Sequence, residues 1–479
     1  MKKIIAFILV FVVAASCTKL EDLNKNITDP IAVPGESLFT GAQVNLFDQM
    51  VSTNVNNNIF RLFSQYWTET TYIDESNYDL TTRSIPDNHW NVLYRDVLMD
   101  LKESAKIIAA TDYATDADNG QGKKNRLAIV EIMSVYTWSV LVGSFGNIPY
   151  TKALDIAELH PAYDDGMVIY KDLVSRLNAA IANMDAAHAS LGVADNMYQG
   201  DVTSWLKFAN SLKLNIGLLL ADADNAFART TVESAFASGV FASSADNGKI
   251  VYLSTSPNTN PLYDDLVASG RNDFVPTSVL VDPMNTLNDP RRPFYFALND
   301  TTAYIGGVYG ASNDYTKFSH ISDKIKEATF EGTIIDYSEV EFLLAEAVER
   351  GFTGVTGTAK DHYDNGIRAS IIYWGGTDAE ATTYLNQPAV AYTSAAGTWK
   401  EKIGTQAWFA LYNRGFESWT EWRKLDYPAL VAPPDANSVI PLRYTYPVAE
   451  QTLNAGQWTA ASAAIGGDNV GTKIFWDKQ

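Results

Sequence analysis

Between Leu127 and Val142 nearly every residue is apolar, and Glu131 is the one charge in the run. Alternation with a period of two is missing, so the stretch reads as a helix that is apolar all round. Such a helix has to be covered on every side. That requirement rules out a flat sheet protein and calls for other helices wrapped around this one. Gly143 is the expected stop just after its last turn.

Other stretches supply the wrapping. From Asp164 onward, Tyr170, Leu173, Val174, Leu177 and Ile181 recur at helical spacing as one apolar stripe. Trp205, Phe208, Leu212, Ile216 and Leu219 make a second stripe behind the cap-competent Asp201, Thr203 and Ser204. In "YSEVEFLLAEAVERG" (337–351), Tyr337, Val340, Leu343, Leu344, Ala347 and Val348 share one helix face, while Phe342 lies across from them near Glu346 and Glu349. A helix with a second apolar point suits layered pairs in which each helix touches two neighbours. No repeat of about 34 residues is visible as sequence identity. The expected fold class is mainly α, with solenoid-like stacking of helices. Residues 225–335 and 380–405 are richer in Gly, Asn, Ser, Thr and Pro, and read as long ordered loops with short strands. Loops of that length usually carry function. No domain boundary is evident, so residues 35–479 read as a single unit.

The N-terminus indicates where the chain works. Lys2 and Lys3 precede ten apolar residues, Ile4 to Val13, and the small residues Ala14, Ala15 and Ser16 lead into Cys17. Residues 1–16 therefore read as a signal peptide, and small residues abutting a cysteine resemble a lipobox. Cys17 is the only cysteine in 479 residues, which excludes disulfides and Cys-ligated metals. Its expected role is to carry diacylglycerol, with residues 17–34 as an extended leader between lipid and body. No later stretch reaches about eighteen uncharged apolar residues, so the expected membrane contact is the lipid alone. The net charge of −20 becomes −22 once Lys2 and Lys3 are removed, which argues against nucleic-acid binding.

Several stretches together resemble the SusD/RagB family, the surface-exposed nutrient-binding lipoproteins of Bacteroidetes, and its SusD-like branch in particular. "WSVLVGSFGNIPYTKAL" (138–154) and "PAYDDGMVIYKDLVSRLNAA" (161–180) look like the family's Gly-Asp-x-Pro turn and its Pro-x-Tyr-Asp helix start, with Asn147 in place of the usual acid. "SWLKFANSLKLNIGLLLAD" (204–222), "DPRRPFYF" (289–296), the Tyr337 helix and "ESWTEWRKLDYP" (417–428) follow in the family's order. "IPLRYTYPVAEQTLN" (440–454) carries its Arg443, Tyr446, Pro447, Glu450 and Asn454. Glu21 and Asp22 resemble the surface-export signal of such lipoproteins.

The resemblance implies a tetratricopeptide-like superhelix of about four helix pairs, with the ligand site on irregular loops. It implies capture of oligosaccharides, or of peptides, for a SusC-like TonB-dependent outer-membrane barrel. It implies no cofactor and no catalysis. Gly146, Pro149, Trp205, Phe208, Trp419, Trp422 and Arg423 are read as structural.

The family's ligand residues follow no portable motif, so candidates come from loop context. A sugar needs flat apolar surfaces for its C–H faces and fixed polar groups for its hydroxyls. Trp67, Tyr72 and Tyr78 lie among polar residues without a clean period. Arg271, Asn272 and Asp273 sit in "SGRNDF", and Tyr304, Tyr309 and Tyr315 lie between glycines in "TTAYIGGVYGASNDYTKF" (301–318). Most of the other aromatics must be core. Enzyme signatures are lacking: the five histidines show no ligand spacing, no Gly-x-Ser-x-Gly elbow occurs, and "GVTGTAK" (354–360) lacks the order of a phosphate loop. "DADNGQG" (116–122) reads as a turn. A lipid-anchored glycoside hydrolase and a helical adaptor for other proteins stand as the alternatives.

Overall fold

The computed structural model describes residues 33–113, 120–299 and 302–478. Cys17, the signal peptide and most of the leader lie outside the described residues, as does most of the 116–122 turn. The α-helices longer than four residues are α1 (Gly35–Val51), α2 (Ile85–Asn91), α3 (Met99–Ala110), α4 (Gln121–Phe145), α5 (Gly166–Asn183), α6 (Val202–Leu219) and α7 (Asn225–Ser238). After them come α8 (Ser278–Thr286), α9 (Tyr337–Glu349), α10 (Ala359–Trp374), α11 (Asp378–Leu385), α12 (Trp399–Ala410), α13 (Gly415–Leu425), α14 (Val448–Leu453) and α15 (Ala455–Ala464). Helices close in the chain pack in pairs, α1 with α3, α4 with α5, α6 with α7, α9 with α10 and α12 with α13. The mainly α, pairwise-stacked fold is the one expected. Among the described residues the strands form only two-stranded antiparallel ribbons: β1 (Trp67–Glu69) with β5 (Phe274–Pro276), β2 (Ile148–Pro149) with β3 (Tyr163–Asp164), β4 (Gly248–Ile250) with β8 (Gly332–Ile335), and β6 (Phe296–Ala297) with β7 (His320–Ile321).

α4 is long and apolar enough to cross a membrane, yet 83% of its most apolar window is buried inside the fold. It runs past Gly143, which lies within the helix, and stops at Gly146. That glycine adopts φ 82, and its N–H donates to the Val142 carbonyl at 2.8 Å. The turn that follows is a joint. Asn147 Oδ1 accepts from the Gly166 N–H at 2.9 Å, and Asp164 accepts from the Tyr150 and Thr151 N–H groups at 3.1 and 2.8 Å. Asp165 then caps α5 by accepting from the Met167 and Val168 N–H groups.

The last carbonyls of α4 need donors, and the far end of the chain supplies them. Arg423 Nη1 donates to the Gly143 carbonyl at 2.8 Å, and Arg443 Nε to that of Phe145 at 3.1 Å. The Arg423 guanidinium lies 3.3 Å from the ring centroid of Trp419 and 4.8 Å from that of Trp476. Tyr163 Oη donates to Glu450 at 2.7 Å, and Asn454 Nδ2 to the Pro161 carbonyl at 3.0 Å. The motif residues of the C-terminal third thus have a structural task, holding the end of α4.

α9 faces two cores. Val340, Leu343, Leu344 and Ala347 enter the main core, whereas Phe342 joins Tyr363, Ile367 and Ile371 of α10 in a second one. Glu346 is buried, held by Lys424 Nζ and Arg350 Nε at 2.7 Å each. Lys424 also bonds Glu421 at 2.7 Å, so α9 and α13 are joined by paired charges.

The loop reading of 225–335 and 380–405 is corrected in part, because α7, α8 and most of α11 and α12 fall inside those ranges. α7 buries Ala228, Thr231, Val232 and Ala235, a stripe too small to register as a hydrophobic face. Its small side chains allow close approach to α6, where a Cβ on Gly217 would stand 3.0 Å from both Thr231 Cγ2 and Val232 Cγ2.

Replacing Arg423 with Ala strips the α4 terminus of a charged donor and should lower the unfolding free energy by about 2–4 kcal/mol. A denaturant titration reads this directly. An unchanged midpoint would mean that the α4 end is satisfied without Arg423.

Candidate functional site

The β1–β5 ribbon gathers segments far apart in sequence. Trp67 pairs with Pro276, Thr68 with Val275 and Glu69 with Phe274. Just beyond the ribbon, the Thr70 N–H donates to the Asp273 carbonyl at 2.9 Å and Thr70 Oγ1 to that of Asn272 at 2.7 Å. A third segment closes on the same residue, with the Asn313 N–H and Ser312 Oγ donating to the Thr70 carbonyl at 2.9 and 2.8 Å. A fourth segment arrives from the C-terminal third: the Asn437 N–H donates to the Asn77 carbonyl, and Gln65 Nε2 to that of Val431, at 2.8 Å each.

The surface at this ribbon end has an aromatic and a polar part. Tyr72 is 70% exposed, and so is Val308, whose N–H donates to Asn313 Oδ1, at 58%. Arg271 and Asn272 are exposed, and Arg271 Nε bonds Asp273 at 2.5 Å. That ion pair presents donors and an acceptor together without a net charge. Tyr72 is held at φ 44, and Gln65 and Tyr78 nearby at φ 54 and 67. Bulky residues in the left-handed region each cost about 1 kcal/mol or more and persist where the surrounding structure forces them. Hydrogen bonds hold the neighbours of Tyr72 and Tyr78 at Thr70 and Asn77, and Thr277 Oγ1 and the Val431 carbonyl hold Gln65 itself.

The segment that carries Tyr72 also carries a carboxyl pair. Glu69 and Glu75 are buried; Glu69 Oε2 accepts from the Ser76 N–H at 2.8 Å, and Arg83 bonds Glu75 Oε1. Burial, and then the neighbouring Glu75, push the Glu69 carboxyl up to about 9. Its retained proton is the donor that Glu75 Oε2, otherwise without a partner, requires.

Other residues expected at the site lie elsewhere. Trp67, at 0% exposure, donates from Nε1 to Tyr412 Oη at 2.8 Å. Tyr78, at 3%, packs on Phe63 and accepts at Oη from Gln65 Nε2 at 3.2 Å. Tyr309, at 7%, donates from Oη to the Leu62 carbonyl at 2.7 Å. These three are core residues. Their segments lack a helical period because they form a short strand and left-handed turns, and the rings point inward from both. Tyr315 is half-buried and stacks on His320 with centroids 3.8 Å apart. Tyr304 is half-buried on a separate groove. The ribbon end therefore unites Tyr72 with Arg271, Asn272 and Asp273, and not with the other aromatics. Val308, exposed on the segment that carries Asn313, is not among the expected residues, and nothing in its sequence context marks it. Among the described residues no group of three or more His, Asp or Glu is placed to hold a metal ion.

The family profile described as "Starch-binding associating with outer membrane" matches residues 25–447. The chain belongs to the SusD-like family. Among curated proteins none matches it. Among solved structures, a chitin-binding protein superposes with a TM-score of 0.79 at 25% identity, over 93% of this chain and 100% of its own. A SusD homologue from Bacteroides uniformis ATCC 8492 gives 0.76 at 25% identity, over 92% and 99%. A chitin-binding SusD homologue from Flavobacterium johnsoniae gives 0.76 at 24% identity, over 92% and 98%.

Unfolded Glu69 titrates near its ordinary 4.5 and folded Glu69 near 9, so the folded state holds the extra proton between those values. Its contribution is complete below pH 4.5 and lost as pH rises through about 9. Glu69→Gln keeps a donor for Glu75 and an acceptor for Ser76 and should flatten this loss. Melting temperatures across the window should diverge in favour of the variant, and parallel curves would exclude the carboxyl pair.

Proposed function

We propose that this protein is a surface-exposed, lipid-anchored SusD-like binding protein. It captures oligosaccharides without catalysis and passes them to a SusC-like TonB-dependent barrel. The observation that carries the reading is Tyr72, an exposed ring held in a strained backbone beside the charge-balanced Arg271–Asp273 pair. Such a ring offers a flat face to the C–H side of a sugar, and the pair offers donors and acceptors to vicinal hydroxyls. Two relatives of the same fold are described as chitin-binding, and the family as starch-binding and associated with the outer membrane. These descriptions support a neutral glycan as ligand and the outer membrane as location. A binding role fits the chemistry of the surface. The paired carboxyls Glu69 and Glu75 are buried and locked to Ser76 and Arg83, whereas a glycosidase needs two carboxyls facing its substrate.

Replacing Tyr72 with Ala should weaken binding of chitin or malto-oligosaccharides by about tenfold or more, a loss of about 1.4 kcal/mol. The melting temperature should move by less than about 2 °C, because the side chain is exposed. Calorimetric titration checks the first, and equal affinity in the variant removes the ribbon end from the site. The anchor is tested separately. Cys17→Ser should shift the protein from the membrane fraction to the soluble one, and mass spectrometry of the wild type should find diacylglycerol on Cys17. An unmodified N-terminus would refute the tether.

A further inference from the structure

A second surface has the chemistry of a sugar site and shares no residue with the ribbon end. It is a groove of about 550 Å³ between residues 288–293 with Tyr304 on one side and α11 with Gln387 on the other, within the roughly 300–1,000 Å³ range of small-ligand sites. One wall is the half-buried ring of Tyr304, backed by Phe296 with centroids 5.9 Å apart. The Arg292 guanidinium lies 5.8 Å from the Tyr304 centroid. Arg292 is tied in place by Asn285 Oδ1 at 3.0 Å and the Asp289 carbonyl at 3.0 Å, while its neighbour Arg291 turns inward to a buried pair with Asp289. The opposite wall carries Glu380, Thr383 and Gln387. Arg292 and Glu380 balance in charge, Asp289 is neutralised by Arg291, and the other polar groups are the amides of Asn288 and Gln387 and the hydroxyls of Thr383 and Tyr384. An aromatic face opposite polar groups, in a groove whose charges balance, suits a neutral sugar better than an ion or a purely apolar ligand.

The groove is rigidly tied to the ribbon. Trp67 of β1 contacts Tyr412, Tyr412 contacts Phe296 and Phe296 contacts Tyr304, with successive centroids 6.3, 5.9 and 5.9 Å apart. All but Tyr304 are buried core rings, so the separation between the two surfaces is fixed by packing.

We propose that the Tyr304 groove is a second glycan subsite, and that one polysaccharide chain engages it together with the ribbon end. The proposal rests on the glycan-binding reading of the ribbon end. Two linked contacts raise the affinity of a long ligand without improving that of a short one. The test titrates the full mature chain with chitin and malto-oligosaccharides of two and of six sugars. Wild-type protein should bind the six-sugar ligand at least about tenfold more tightly than the two-sugar one. Tyr304→Ala should reduce that ratio below about threefold while leaving the two-sugar affinity unchanged. Thr383→Arg, an exposed change on α11, should fill the groove and do the same without touching the core. A length advantage retained by both variants overturns the subsite and leaves the ribbon-end reading intact. Wild-type protein that binds neither ligand overturns both.

Discussion

The end of α4 is the point on which the rest of the structure depends. An apolar helix of this length can be covered by its neighbours, but its final carbonyls cannot be covered by apolar groups without losing their hydrogen bonds. Arg423 and Arg443 meet that need from nearly 300 residues further along, and cations at a helix C-terminus are also favoured by its dipole. Arg423 achieves this in a fully buried position, where desolvation lowers its guanidinium to about 9, and the rings of Trp419 and Trp476 take the place of water around it. Once those two arginines dock, the C-terminal third has to fold back over the first helices. The superhelix then becomes a closed body.

That closure positions the two surfaces proposed to bind ligand. With the helices supplying a rigid core, the long connections between them need only local hydrogen bonds to be ordered. The carbonyl and hydroxyl of Thr70 organise segments from three parts of the chain, and a ladder of buried rings fixes the groove relative to the ribbon. The joint between α9 and α13 adds stiffness of another kind. Lys424 bridges Glu346 and Glu421, so its loss would leave Glu421 buried without a counter-charge, whereas Glu346 would keep Arg350.

The helices were legible wherever large apolar residues recur at three and four, as in α5, α6 and α9. α7 was hidden because Ala and Thr carry its packing face, and small residues in sequence look like a loop. The aromatics divided differently. Tyr72 and Tyr78 lie six residues apart in one polar stretch, both with left-handed backbones, yet one is exposed and the other is core. The backbone turns between them, and neither composition nor period records which way a turn faces. Glu346 is a similar case. It belongs to the charged side of its helix by pattern, and it is buried because Lys424 and Arg350 meet it there.

The sequence by itself determined that the chain is a stack of amphipathic helices around one all-apolar helix, since burial of that helix has no other solution. It also determined the order of the family motifs, and with it the expectation of a lipid-tethered nutrient-binding protein. Only the tertiary structure decided which aromatics face solvent, which arginines cap α4, and that Tyr72 and Arg271–Asp273 share a surface while Tyr304 lines another. The physical reason is range. Helix formation is written in contacts three and four residues apart, whereas a ligand surface is made by segments some two hundred residues apart, whose meeting depends on how the whole core packs.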